Sequence, residues 1–197
     1  MSTRLEIFAK QLSVIIGNPT KLRPFVCDGS PLACEIFIVG SNPATEMDNS
    51  FWEYWNNESG FDKARWLDDY EKARMVKKGK INPSSTRERI NRIVQAASPK
   101  ACLETNVYWK PSAHENDLKR EDKNSQGFKF LINEIHPQSL LMHGKSALKA
   151  ISDIARVEFV RDEITVVDLG YGPVKVIAAS PLYLWSYEKA SAVGEKL

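Results

Sequence analysis

The stretch that most constrains the fold is Glu35-Ile36-Phe37-Ile38-Val39-Gly40-Ser41-Asn42-Pro43-Ala44-Thr45. Ile36 to Val39 is an unbroken β-branched and aromatic run, the pattern of a strand covered on both faces. Gly40 then permits a sharp turn or a close approach of the backbone to another group. Pro43 fixes its own φ and pushes Asn42 towards an extended conformation. A carboxamide is thereby held at the carboxyl end of a buried strand, where open α/β sheets place their ligands. The plainer reading of the same residues is a strand followed by a turn.

The rest of the chain repeats the strand-and-helix alternation. Leu5, Phe8, Ala9, Leu12 and Ile16 fall at helical spacing over residues 3–16, and Gly17-Asn18-Pro19 ends that helix. Residues 23–31 read as a loop, with Phe25 either lining a pocket or simply packing. Asp48, Asn49 or Ser50 can cap a short helix whose aromatic face is Phe51, Trp52 and Trp55. Most of that face suits the core, and one ring near the Asn42 turn can stack on a planar ligand. Ala101–Tyr108 reads as a second strand, with Asn106 near its carboxyl end. Phe128, Leu131, Ile132 and Ile135 make a helix stopped by His136-Pro137. Ser139–Gly144 is a third strand and turn, and Lys145–Ile151 the helix after it. Val157–Val160 and Ile164–Val167 are short β runs, Val174–Ala179 is the last strand, and a terminal helix starts near Tyr187. This alternation predicts one domain over residues 1–197, a three-layer α/β/α sandwich around a four-stranded parallel sheet.

Residues 62–98 read as an inserted helical segment. Trp66, Leu67, Tyr70 and Ala73 mark one helix, broken at Gly79 to Pro83. Ser85 with Glu88 resembles a capping box, and Ile90, Ile93, Val94 and Ala97 carry the second helix. Charge is segregated here. Residues 46–71 hold eight acids against two bases, whereas residues 72–92 hold eight bases against one acid. The basic block can follow a phosphate backbone, or it can be a solvated helical face. The net charge of the whole chain, +2, does not decide between them.

Several function classes are disfavoured. No Gly-x-Gly-x-x-Gly or Walker sequence follows any strand, so no nucleotide cofactor is expected. His114, His136 and His143 lack a second histidine or cysteine at ligand spacing, so no metal site is expected. His143, at a strand end, reads as structural rather than catalytic. Cys27, Cys34 and Cys102 show no Cys-x-x-Cys spacing and suit a reduced, cytoplasmic protein. No apolar run reaches membrane-spanning length and no signal-peptide pattern opens the chain, so no membrane association is expected.

The order of the strand ends carries a resemblance. Gly40-Ser41-Asn42-Pro43 resembles the first motif of the uracil-DNA glycosylase superfamily, in the form found in its mismatch-specific uracil and thymine branch. Asn49-Ser50-Phe51-Trp52 is similar to the Asn-x-Phe-Trp that follows that motif. Thr105-Asn106-Val107 resembles the strand-end asparagine other branches use to read the base. His143-Gly144-Lys145-Ser146-Ala147 is similar to their strand-to-helix turn, and Ser180-Pro181-Leu182 falls at their final loop. The similarity covers most of residues 35–190, apart from the inserted helices.

The resemblance implies hydrolysis of the N-glycosidic bond of uracil or a related damaged base in DNA, with the base flipped into a pocket. Asn42 would hold the attacking water and Asn106 would read the base edge. Phe51 or Phe25 would stack on the base. Leu182, with Tyr183 or Leu184, would fill the space the base leaves. Ser180, the Pro181 loop and Lys145 would meet DNA, the implied partner; no cofactor is implied. The chain departs from the family pattern at several places, among them a shortened segment where the usual stacking phenylalanine lies and an acidic stretch directly after Asn42. Ala178 stands where many members carry the histidine that stabilises the leaving base, Ala179 replaces the next proline, and Ala44 replaces a glycine. Three readings therefore remain: a DNA glycosylase, a non-catalytic module of the same fold that binds nucleic acid or protein, and a hydrolase of free nucleosides or nucleotides.

Overall fold

The computed structural model describes residues 2–79 and 83–197. Helix α1 (Arg4–Ile16) starts at a capping box formed by Thr3 and Glu6 and buries Leu5, Phe8, Ala9, Leu12 and Ile16, the stripe its spacing predicts. Strand β1 (Phe25–Cys27) follows, then β2 (Ile36–Gly40), which is buried along its whole length. A small hairpin of β3 (Trp55–Asn56) and β4 (Gly60–Phe61) precedes α2 (Lys63–Lys78) and α3 (Ser85–Ala97). Then come β5 (Cys102–Asn106), α4 (Gln126–Ile135), β6 (Ser139–His143), α5 (Lys145–Ala155), β7 (Ile164–Asp168), β8 (Pro173–Ala179) and α6 (Tyr187–Gly194).

The main sheet has six strands in the order β1-β5-β2-β6-β8-β7. The inner four, β5, β2, β6 and β8, pair in parallel, and β1 and β7 close the edges antiparallel. The sheet is thus wider than the four strands expected. Residues 25–27, read as a loop, form β1 because Phe25 and Val26 are apolar enough to cover the β5 edge, in register with Thr105 and Glu104. Of the two short β runs, only the one at 164–168 is a strand; residues 157–160 are irregular, with Val157 and Val160 exposed.

Side chains on the two faces alternate as a strand requires. Phe37, Val39, Leu103, Leu140, Met142 and Val176 face α1, α4 and α5. Ile36, Ile38, Leu141 and Ile177 face α3 and α6, where Ile90, Ile93 and Ala190 meet them. Helix α3 is therefore half of the second helical layer rather than an appended insertion. Its cap is Ser84, one residue before the expected Ser85, because Ser84 is extended and its hydroxyl accepts the Arg87 amide at 3.2 Å. The break before α3 opens at Gly79, in the left-handed conformation that suits glycine. Residues 80–82 of that break, with Lys80 of the basic block, lie outside the described residues. Among the described residues no helix is long and apolar enough to cross a membrane.

Candidate functional site: a cleft at the carboxyl end of the sheet

Parallel strands place their carboxyl ends along one rim, and here a cavity of about 360 Å³ opens on it. Asn42, Asn106 and His143 line it from the ends of β2, β5 and β6, and Pro181, Leu182 and Tyr183 line it from the loop after β8. The wall away from the sheet comes from Arg23, α2 and the start of α3, through Tyr70, Arg74, Thr86 and Arg87.

The loop after β5 holds Asn42. Val107 N donates to Gly40 O, Tyr108 N to Ser41 O and Ser112 N to Pro43 O, each at 2.9 Å. Asn42 Nδ2 then donates to Ser112 O at 2.8 Å and Pro43 O at 3.3 Å. Two carbonyl acceptors require the nitrogen on that side. No described residue donates to Oδ1, which is left as the amide's available acceptor. Gly40 has the role its lack of a side chain allows. A Cβ there would lie 2.7 Å from Asn106 Oδ1 and 3.0 Å from His143 Cε1, so both groups crowd the space it vacates. Burial pulls the His143 imidazole down to about 4, so the ring is neutral at pH 7. The residue lines the cavity, where a neutral imidazole offers one N–H and one acceptor.

Below this rim lies a charged cluster. Glu104 is two residues before Asn106 on the same face of β5, about 7 Å further down the strand. Lys63 Nζ donates to its Oε1 at 2.8 Å and Arg87 to its Oε2. Burial disfavours the carboxylate, but Arg87 and Lys63 outweigh that cost and hold Glu104 below the ordinary carboxylate range. Arg23 lies over the Trp66 ring at 4.8 Å and donates to Thr45 O at 2.5 Å. Burial, reinforced by Arg87, lowers its guanidinium to about 10, still charged at neutral pH. Arg87 lies over the same Trp66 ring at 5.1 Å.

Other expected site residues lie elsewhere. Phe25 lines the cavity but is almost fully buried, edge-on to Phe51. Phe51 is packed in an aromatic cluster with Trp55 and Phe61 and does not line the cavity. Leu182 is fully buried in the core under α3 and α6, while Tyr183 and Leu184 are the exposed tips of that loop. Ser180 accepts the Trp185 indole N–H at 2.7 Å and, like the exposed Lys145, is not part of the lining. Arg23, Arg87, Glu104 and His143 were not expected at the site. The available signal was Glu104 itself, a carboxylate inside an apolar strand, in phase with Asn106.

Cys27, Cys34 and Cys102 are free and buried; burial, with a hydrogen bond to Cys34 as the larger cause for Cys27, raises the thiols of Cys27 and Cys102. With raised thiols, Cys27 and Cys102 are poor nucleophiles at neutral pH. Among the described residues no three histidine, cysteine or carboxylate groups gather where they could hold a metal ion. No protein-family model matches the chain, and no curated protein matches it in sequence.

Proposed function

We propose that this protein has the uracil-DNA glycosylase fold and hydrolyses the N-glycosidic bond of uracil or a related base in DNA. The observation that carries the reading is that Asn42 and Asn106, far apart in sequence, line one open cleft at the carboxyl end of the sheet beside the Pro181 loop. In this mechanism Asn42 Oδ1 accepts a hydrogen bond from water and aims it at C1′ of the sugar. An amide is a weak base, but a sugar with oxocarbenium character needs little activation of its nucleophile. The bond to the base breaks with its electron pair leaving on the base, water supplies the hydroxyl to C1′, and the water's proton ends on the base. Asn106 reads the base edge with one donor and one acceptor. His143 supplies an N–H to the developing anion, a task that buried Ala178 and Ala179 cannot perform. Tyr183 and Leu184, exposed at the loop tip, are the side chains available to replace a flipped base.

The test is release of free base from labelled oligonucleotides bearing uracil and a panel of damaged bases. Base release that Asn42→Ala abolishes supports the reading; no release from any substrate overturns it. Ala178, standing where the resemblance puts a histidine, favours a second reading, a non-catalytic nucleic-acid-binding module. Salt-dependent DNA binding that leaves no abasic sites would establish that instead.

A further inference from the structure

We propose that the cavity wall formed by Arg23, Arg87 and the first turn of α3 binds a phosphate monoester, so that the ligand is a nucleoside 5′-monophosphate or the 5′-phosphorylated end of a nucleic acid. The nucleoside half of this ligand rests on the base-reading role given to Asn106; the phosphate subsite does not.

The first support is charge. Among the described residues Glu104 is the single carboxylate lining the cavity, and it already has two cationic partners, Lys63 and Arg87. With Arg23 added, the group of Lys63, Arg87, Arg23 and Glu104 carries an excess of two charges; Arg74 also lines the wall and is not without a partner of its own. An excess of that kind is costly unless an anion neutralises it. A phosphate monoester carries about −1.5 to −2 at pH 7, the matching charge.

The second is an unmet donor. Arg23 is fixed by its bond to Thr45 O and by the Trp66 ring, yet its Nε is buried without any hydrogen-bond partner. Nε itself has no surface open to the cavity, so the contact to a phosphoryl oxygen falls to the part of this fixed guanidinium that lines it. The third is the helix. α3 has thirteen residues and starts at this wall, so the positive end of its dipole adds to the two guanidinium groups.

Size restricts the ligand further. The Arg87–Glu104 pair lies about 7 Å below Asn106 along β5, so a base at the rim and a phosphate on this wall belong to one nucleotide. A cavity of about 360 Å³ has room for one nucleotide. The double charge of a terminal monoester matches this wall better than the single charge of an internal diester.

Calorimetry with the intact protein tests this, using inorganic phosphate, deoxyuridine, deoxyuridine 5′-monophosphate and a short uracil-containing oligonucleotide with and without a 5′-phosphate. The monophosphate is expected to bind about tenfold or more tighter than deoxyuridine, as one charge-assisted contact implies. Inorganic phosphate should compete with the monophosphate. Arg23→Gln should remove the advantage, and Arg23→Lys, which keeps the charge but loses the fork, should leave part of it. Thermal unfolding shows which variants are folded; should Arg23→Gln fail to fold, Arg23→Lys and the phosphate competition give the answer. Equal affinity for deoxyuridine and its monophosphate in the wild type overturns the subsite, as does an undiminished advantage in folded Arg23→Gln. Phosphate binding without nucleoside binding upholds the subsite and removes the base-reading role of Asn106. The relative affinities of the free nucleotide and the 5′-phosphorylated oligonucleotide identify the source of the phosphate.

Discussion

Asn106 and His143 meet across Gly40, although they stand on strands that β2 separates. A Cβ on Gly40 would come within 2.7 Å of Asn106 Oδ1 and 3.1 Å of His143 Nε2. The missing side chain in the middle strand is what lets the two polar groups converge on one volume.

Gly40→Ala therefore acts on the site more than on the fold. The atoms it meets are side-chain ends that can move, and residue 40 does not have a positive φ. Overpacking of this kind costs about 1–3 kcal/mol, whereas displacing both polar groups by a fraction of an ångström or more is expected to cost roughly 10²-fold in base release. Denaturant unfolding and the glycosylase assay, run on the same preparation, separate the two effects. Unchanged turnover in the variant would mean that the convergence at Gly40 serves packing alone.

The buried carboxylate makes a second prediction. Glu104 holds Lys63 and Arg87 together, and removing one partner leaves charge uncompensated in the interior. Arg87→Met is expected to destabilise the protein by about 3–5 kcal/mol. Replacing all three as Lys63→Met, Glu104→Leu and Arg87→Met should recover much of that loss, since a buried ion cluster is often no more stable than well-packed apolar residues. Urea midpoints of the single and triple variants decide; a triple variant as unstable as the single one would show that the cluster contributes packing no apolar set replaces.

Much of this architecture can be read from the residues. Among the parallel strands β2 and β6 announce themselves because their centres are apolar without interruption, as a strand covered on both sides must be, while β5 and β8 carry Glu104 and Lys175 within their runs. The edges were harder to read. Phe25-Val26-Cys27 is too short to show a period and sits between prolines and a glycine, so its pairing with β5 is decided by tertiary contact. The same holds for α3. Its apolar stripe of Ile90, Ile93 and Ala97 was evident, but that it covers the sheet follows only from where Ile36 and Ile38 point. At the site, Asn42 and Asn106 were legible because each ends a strand. Arg23 and Arg87 were not, since an arginine in a basic run looks the same in solvent as against a buried glutamate. Phe51, flanked by tryptophans, carried a stacking signal that the surrounding aromatic cluster absorbs.

His143 should make stability depend on pH in a defined window. Burial lowers its folded-state value to about 4 from the ordinary 6.5. Between those values the unfolded chain holds more protons than the folded one, so stability falls as pH drops from about 6.5 towards 4 and is full above that window. The loss is on the order of 2 kcal/mol, allowing for the ring's contact with the open cavity. Glu104, held below its ordinary range, adds stability that disappears only at still lower pH. Urea midpoints between pH 7.5 and 4.5 should fall more steeply in the wild type than in His143→Gln. Parallel curves would place the acid sensitivity on another group.

Asn42→Asp is the most discriminating change at the rim. A carboxylate is the stronger base, and on that ground alone it should activate water better than an amide. In this protein the amide nitrogen is spoken for: it donates to Ser112 O at 2.8 Å and to Pro43 O at 3.3 Å. A carboxylate has no proton to give either carbonyl, and its oxygen would be repelled by both. The side chain must swing away from the orientation that leaves Oδ1 available, at a cost of about 1–3 kcal/mol for the broken contacts. Base release is therefore expected to fall by roughly 10-fold or more, because misplacement of the water outweighs the gain in basicity. Asn42→Ala, which removes both tether and acceptor, should fall further. Initial rates of base release, with unfolding midpoints as the control for folding, measure both. A faster Asn42→Asp enzyme would show that basicity, and not the tether to Ser112, limits what residue 42 does.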